Sequence, residues 1–255
     1  MPSLFCEPVL YGDISLHGSY FAPVGEVKQA VLLISPLFEE KRCAHRALNL
    51  CARALADAGA GVFHPDLYGT GNSHGDLSEI GLDRWLDDLH AAVDFLRSRT
   101  DGVPLTVLAC RAGALLIADA IVAGLSADRF ILWNPVTNGR GYLNQLRTRR
   151  MIQDKMTGET PPEIGQYEVE GQLLSPALYT DFQALRLPAE MPSIPLTLLQ
   201  CSFNEKLLNE YERFIAQWEA SRVQIRTLVC EPFWHPHSPS NYTELAQAVT
   251  NEVMH

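Results

Sequence analysis

The sequence predicts an α/β protein with a mostly parallel sheet flanked by helices, and three observations predict it. Short apolar strand runs alternate with longer segments of helical periodicity, the rhythm of strands joined by right-handed crossovers. Several runs, such as Ala30–Ser35 (AVLLIS) and Phe130–Trp133 (FILW), are almost continuously apolar, as strands covered on both faces are. Leu105–Ala120 (LTVLACRAGALLIADA) passes from a β-rich stretch through a tight turn of small residues into an apolar helix.

Taken in order, Pro8–Tyr11 and Ser19–Phe21 are β-prone pieces broken by Gly12 and Gly18, an antiparallel hairpin that opens the sheet. Strand Ala30–Ser35 ends at Pro36, and the loop Pro36–Arg42 (PLFEEKR) leads to a helix at about Ala44–Ala58. There Ala47, Leu48, Cys51, Ala54 and Leu55 recur at helical spacing, and Gly59 supplies the stop. Gly61–Pro65 is the next strand, followed by Asp66 and a turn punctuated by Gly69 and Gly71. Leu82, Trp85, Leu86, Leu89, Val93 and Leu96 mark a strongly amphipathic helix. After the 105–120 unit and strand Phe130–Trp133, the rhythm breaks between Gly139 and Pro188. That stretch is more polar and carries a basic helix, Tyr142–Met156, so it reads as an insertion over the sheet. Strand Leu196–Gln200, helix Leu207–Ser221, strand Val223–Val229 and helix Asn241–Val253 complete one domain, residues 1–255, with a helical cap at about 139–188.

With 255 residues and 47% apolar content, the chain is long enough for one large core. Thirty acidic against twenty basic residues give a formal charge of −10, which argues against a nucleic-acid partner. Six cysteines (Cys6, Cys43, Cys51, Cys110, Cys201, Cys230) show no C-x-x-C pair and no metal spacing. They read as small buried hydrophobes in a reducing compartment, with no metal and no cofactor expected. No stretch reaches the length of a membrane span, and no leader is evident, so a cytoplasmic, soluble protein is expected.

The strand–turn–helix at 105–120 has the form of a nucleophile elbow, whose pattern is G-x-S-x-G. Set on Gly113 as the closing glycine, the frame puts Ala109 at the first glycine, Cys110 next, and Arg111 where the serine belongs. A guanidinium cannot act as a nucleophile, but its planar fork of donors suits carboxylate or phosphate. Arg111 therefore either pairs with an internal carboxylate or anchors a ligand. Cys110 is the nearest substitute nucleophile, with Arg111 as the cation that would activate it. The residue before a nucleophile points away from the crevice, however, which favours a buried thiol.

With the elbow and the strand order in place, the chain resembles the α/β-hydrolase fold, and more closely the bacterial family called exosortase A system-associated hydrolase 2. The stretches that carry the resemblance are SPLFEEKR (35–42), DLYGTGNSHGD (66–76), WLDDL (85–89), ACRAGALL (109–116), LWNPV (132–136), YLNQLRTRR (142–150), LLSPAL (173–178) and EPFW (231–234). The resemblance implies an exopolysaccharide context and chemistry on ester or acyl bonds, with arginine at the serine position a feature of the family. It also places Glu39 and Glu40 in the loop that ordinary members use for an oxyanion-hole amide. One of the two is expected to pair with Arg111, the other to be solvated or to favour the helix N-terminus.

The usual order Ser…Asp/Glu…His puts the acid after Leu196–Gln200, where Glu205 is the candidate and Asn204 a non-acidic stand-in. The histidine falls after Val223–Val229, at His235 or His237. Glu231 and Trp234 are the candidates for a site wall, a carboxylate near Arg111 with an aromatic platform beside it. Asp66 is expected to brace the elbow, and Arg147, Arg149 and Arg150 to form a solvated face or dock an anionic partner. Two functions follow. One is a hydrolase with a non-standard site drawn from Cys110, Arg111, His235 and Glu205. The other is a catalytically silent binder in which Arg111, Glu39, Glu40, Glu231 and Trp234 hold a small anionic or acylated ligand, or which regulates a partner protein or a second copy of itself.

Overall fold

The structure is a computed structural model and describes residues 6–157, 165–189, 194–218, 223–235 and 242–255. Its strands are β1 (Cys6–Tyr11), β2 (Leu16–Phe21), β3 (Gln29–Ile34), β4 (Ala60–Pro65), β5 (Leu105–Cys110), β6 (Arg129–Trp133), β7 (Glu168–Val169), β8 (Gln172–Leu173), β9 (Leu196–Ser202) and β10 (Val223–Val229). The helices are α1 (Phe38–Asp57), α2 (Leu82–Thr100), α3 (Ala112–Val122), α4 (Gly139–Thr157), α5 (Pro176–Ala184), α6 (Asn209–Ile215) and α7 (Tyr242–Met254). One sheet runs in the order β1-β2-β4-β3-β5-β6-β9-β10. β2 pairs antiparallel with both β1 and β4, and β4, β3, β5, β6, β9 and β10 are parallel to one another.

Alternation along the central strands builds a core on each face. In β3, Ala30, Leu32 and Ile34 pack toward α2 and α3, while Val31 and Leu33 pack toward α1 and α7. Burying each large aliphatic or aromatic side chain is worth about 1.5–3 kcal/mol, and Trp85, Phe63, Phe130 and Trp133 are all fully buried. The small side chains Ala44, Ala47, Cys51 and Ala52 let α1 lie close to the sheet and to Ala246 and Val249 of α7.

Three elements differ from the sequence reading. α1 begins at Phe38 rather than near Ala44, because the charged FEEKR run is its first turn and not a loop. Glu39 and Glu40 suit a helix N-terminus, where the amides are unpaired and the dipole is positive. Within the 139–188 segment a hairpin, β7–β8, turns through Glu170 and Gly171, both at positive φ. α6 spans Asn209–Ile215, shorter than the periodicity suggested.

The end of β4 carries a buried polar cluster. Ser35 Oγ and His64 Nε2 are 2.5 Å apart. Lys41 Nζ lies 2.6 Å from Asp66 Oδ1, and Asp66 also accepts the Asn72 amide at 3.0 Å, which pins the glycine turn. Burial, with Lys41 nearby, pushes the His64 pKa down to about 4. An unfolded chain binds this proton near pH 6.5, so the unfolded state takes up more protons as pH falls. About 3 kcal/mol of stability should therefore fade between pH 6.5 and 4. Urea denaturation at pH 7 and pH 4.5 measures the loss, and His64→Gln should remove part of the slope.

Candidate active site

Three neighbouring parallel strands, β3, β5 and β6, each run into a non-glycine residue with positive φ: Phe38 (56°), Arg111 (55°) and Asn134 (45°). Such backbone costs on the order of 1–3 kcal/mol per residue and concentrates at functional sites. The Arg111 turn is fixed from both sides. Its amide donates to the Trp133 carbonyl at 2.9 Å, and its carbonyl accepts from Ala114 at 3.0 Å. A Cβ on Gly113 would stand 2.1 Å from the Ser35 carbonyl oxygen, so glycine is what lets α3 start this close to the end of β3.

The Arg111 side chain is enclosed. Nε and Nη2 donate to Glu40 at 3.2 and 3.3 Å, and Nη1 donates to the Asn134 carbonyl at 3.2 Å. The guanidinium lies 4.8 Å from the centroid of the Trp234 ring, a cation–π contact. Burial works against the charge, but the Glu40 carboxylate outweighs it and holds Arg111 protonated. Glu40, its side chain only 3% exposed, also accepts from Tyr142 Oη at 3.0 Å and lies 4.0 Å from Arg149 Nη1. Arg149 Nε in turn donates to Glu170 at 3.1 Å, and Glu170 accepts the Glu39 backbone amide at 3.1 Å. The result is an alternating chain of charge, Arg111–Glu40–Arg149–Glu170, roofed by α4 and the β7–β8 hairpin.

The sequence candidates divide accordingly. Arg111, Glu40 and Trp234 come together. Glu39 turns outward, its carboxylate on Arg42. Cys110 is fully buried on the opposite face, among Val31, Leu33, Cys51 and Trp133, and burial pushes its thiol well above the ordinary range. This placement gives it neither access nor a thiolate. His235 is exposed; partial burial, helped by Arg111 and Arg149 and opposed by Glu40, lowers its pKa. Glu205 is exposed in the loop after β9, and no hydrogen bond or ion pair among the described residues links it to His235. Glu231 lines a separate cavity between β10 and α7, away from Arg111. His237 lies outside the described residues.

Sequence reasoning missed Tyr142, Asn134 and Glu170, and it placed Arg149 on a solvated or docking face rather than in the ion network. The signal for Arg149 was present: it lies seven residues after Tyr142, on the same helical face as that buried residue. Arg149 also borders a shallow groove of ≈ 460 Å³ along α4, with Gly141, Asn144, Gln145, Thr148 and Ile152. Arg147 and Arg150 are tied down elsewhere, to the Gln166 carbonyl and to Asp154. Among the described residues no group of three His, Cys, Asp or Glu side chains is placed to hold a metal ion.

A mostly parallel sheet in this strand order, with a strained strand–turn–helix at the end of its central strand β5, is the α/β-hydrolase fold. Residues 25–230 match the family of serine aminopeptidases, S33, and the chain belongs to that family. An esterase from Pyrococcus furiosus is similar in structure, with a TM-score of 0.67 and 15% identity over 99% of this chain and 90% of that one. Est1E from Butyrivibrio proteoclasticus, in a structure with ferulic acid bound, has a TM-score of 0.66 and 15% identity over 96% and 98%. A serine hydrolase without a lid from Xanthomonas campestris has a TM-score of 0.59 and 16% identity over 100% and 95%. At these identities the likeness is one of fold. No curated protein matches the chain by sequence.

Proposed function

We propose that this protein is a cytoplasmic α/β-hydrolase-fold component of a bacterial exosortase-associated exopolysaccharide system, and that its crevice holds a small anionic or acylated ligand without acyl transfer. The observation that carries the second part is the state of Arg111, the residue on the elbow turn, which is a charged, fully paired guanidinium. Acyl transfer needs a nucleophile within hydrogen-bond reach of a base that is itself held by an acid. Here the turn offers no nucleophile, Cys110 faces the other way, and His235 has no acid partner among the described residues. The genomic context rests on the sequence stretches 35–42, 109–116 and 231–234, and exosortase genes beside this one are its test. Six free thiols fit a reducing compartment. Among the described residues no helix is long and apolar enough to cross a membrane.

In this reading residues 139–188 form a cap on the single domain, and the ligand enters along α4. Arg149, 27% exposed, is the cation reached from the groove, with Asn144, Gln145 and Thr148 as polar neighbours. Beneath the groove Arg149 leads through Glu40 to Arg111. Glu170 is the carboxylate that holds Arg149 Nε in the absence of a ligand, and a ligand anion would compete with it. Octanoate is a suitable probe, combining a carboxylate with an acyl chain. It should raise the melting temperature of the wild type and leave Arg149→Gln unmoved, since only binding to the folded state stabilises. No shift, or an equal shift in both proteins, would overturn the assigned anchor.

The second reading is hydrolysis at a non-standard site, and the position of His235 against Trp234, whose ring covers Arg111, is the observation that favours it. Ester turnover lost in His235→Ala would establish it.

A further inference from the structure

The ion network beneath α4 closes on itself without a spare charge. Arg111, Glu40, Arg149 and Glu170 are two cations and two carboxylates in alternation, and the neighbouring Glu39 carboxylate is taken by Arg42. The Glu40 and Glu170 side chains are only 3% and 8% exposed. A ligand anion added to this set would leave an uncompensated negative charge in an enclosed place, which is strongly unfavourable. One of the two resident carboxylates must therefore leave before an anion is taken up.

The two carboxylates differ in what carries them. Glu40 lies on α1, with Arg111 bonded to both its oxygens and the Tyr142 hydroxyl on one of them. Glu170 lies at the tip of the β7–β8 hairpin, a small sheet separate from the main one with two residues in each strand. Its Oε1 accepts from Arg149 Nε at 3.1 Å and Nη2 at 2.5 Å, and its Oε2 accepts the Glu39 amide of α1 at 3.1 Å. The base of the hairpin is held separately, by Val169 and Leu174 in the core and by Arg147 on the Gln166 carbonyl. Gln172 and Leu173 are exposed, and a Cβ on Gly171 would meet nothing within 4 Å, so the tip has open space on its outer side. Val169 pairs with Gln172, which makes Glu170 and Gly171 a two-residue turn with φ of 50° and 84°. Turns with positive φ at both places favour asparagine, aspartate or glycine at the first. Glutamate there serves the reach to Arg149 and α1 rather than the turn.

We propose that Glu170 is an internal stand-in for the ligand: an anion binding at Arg149 exchanges one carboxylate for another and lifts the tip of the β7–β8 hairpin from α1. The proposal rests on the reading of Arg149 as the ligand's anchor and adds to it the group that guards the anchor. The exchange fixes the class of ligand headgroup, because a monoanion of carboxylate size restores the charge balance that Glu170 leaves behind. It also makes occupancy of the groove readable at a distance, since the hairpin tip changes its attachment when Arg149 changes its partner. The apparent affinity is lowered by the fraction of molecules in which Glu170 holds Arg149.

Calorimetric titration of the intact chain with octanoate, together with hydrogen exchange of the 168–174 amides, tests this. Glu170→Ala should bind octanoate about tenfold more tightly than the wild type if Glu170 holds Arg149 in about nine molecules of ten. Glu168→Ala removes the same charge from the same hairpin and should bind as the wild type does. In the wild type, octanoate should speed exchange of the hairpin amides, the opposite of the protection that direct contact gives. Equal affinity in wild type and Glu170→Ala, an equal gain in Glu168→Ala, or hairpin amides slowed by octanoate would overturn the exchange while leaving Arg149 as the anchor. Absence of binding in both wild type and Glu170→Ala would overturn the anchor itself, and the exchange with it. The wild-type exchange data decide the matter even if a variant folds poorly.

Discussion

Glu40→Ala should destabilise the protein by about 3–5 kcal/mol, the expected result of leaving a buried charge without its partner. Glu40 is 3% exposed and accepts from Arg111 twice and from Tyr142 once. Without it, the enclosed guanidinium keeps only the Asn134 carbonyl and the Trp234 face. Arg111→Ser removes the other half of the pair and should cost on the order of 3 kcal/mol, because Glu40 retains Tyr142 and lies near Arg149. Replacing both, as Arg111→Met with Glu40→Leu, should recover much of the loss, since apolar side chains of similar volume tolerate such a site. Urea midpoints of the three variants measure this; an unchanged midpoint in Glu40→Ala would mean the pair is solvated.

Gly113→Ala should be nearly as damaging, for a steric reason. The new Cβ would meet the Ser35 carbonyl oxygen at 2.1 Å and Ile34 Cγ2 at 2.9 Å. The carbonyl is backbone, so relief requires moving β3 or α3. Overpacking of this kind costs about 1–3 kcal/mol, occasionally more. Thermal unfolding reads it directly, and Gly113→Val should give little soluble protein. A melting temperature within error of wild type for Gly113→Ala would contradict the close approach.

The strands were legible because burial on both faces leaves apolar runs such as 30–35 and 130–133 that no surface segment needs. Gly113 was legible as the closing glycine of the elbow, and the structure supplies the reason in the Ser35 carbonyl. The start of α1 was not, because Pro36 and the charges of FEEKR resemble a loop, whereas acidic residues are stabilised on a first helical turn. Glu39 and Glu40 could not be told apart by chemistry. Adjacent helix positions point about a hundred degrees apart, so one faces Arg42 outside and the other Arg111 within. The basic stretch of α4 read as a solvated face because its partner Glu170 sits on a hairpin that no periodicity announced. Glu231 was placed at the site by its neighbour Trp234, but it precedes the point where the chain turns inward at Phe233, and it remains exposed.

The central claim is that Arg111 leaves the elbow turn without acyl-transfer chemistry, and hydrolysis of p-nitrophenyl butyrate followed by intact mass tests it most directly. The expected result is no acyl adduct and only weak release, equal in wild type, Cys110→Ala and His235→Ala; binding and turn amides alone sustain such background. An acyl adduct, or turnover at about 1 per second or faster, the lower end of ordinary enzyme rates, lost in either variant, would contradict it.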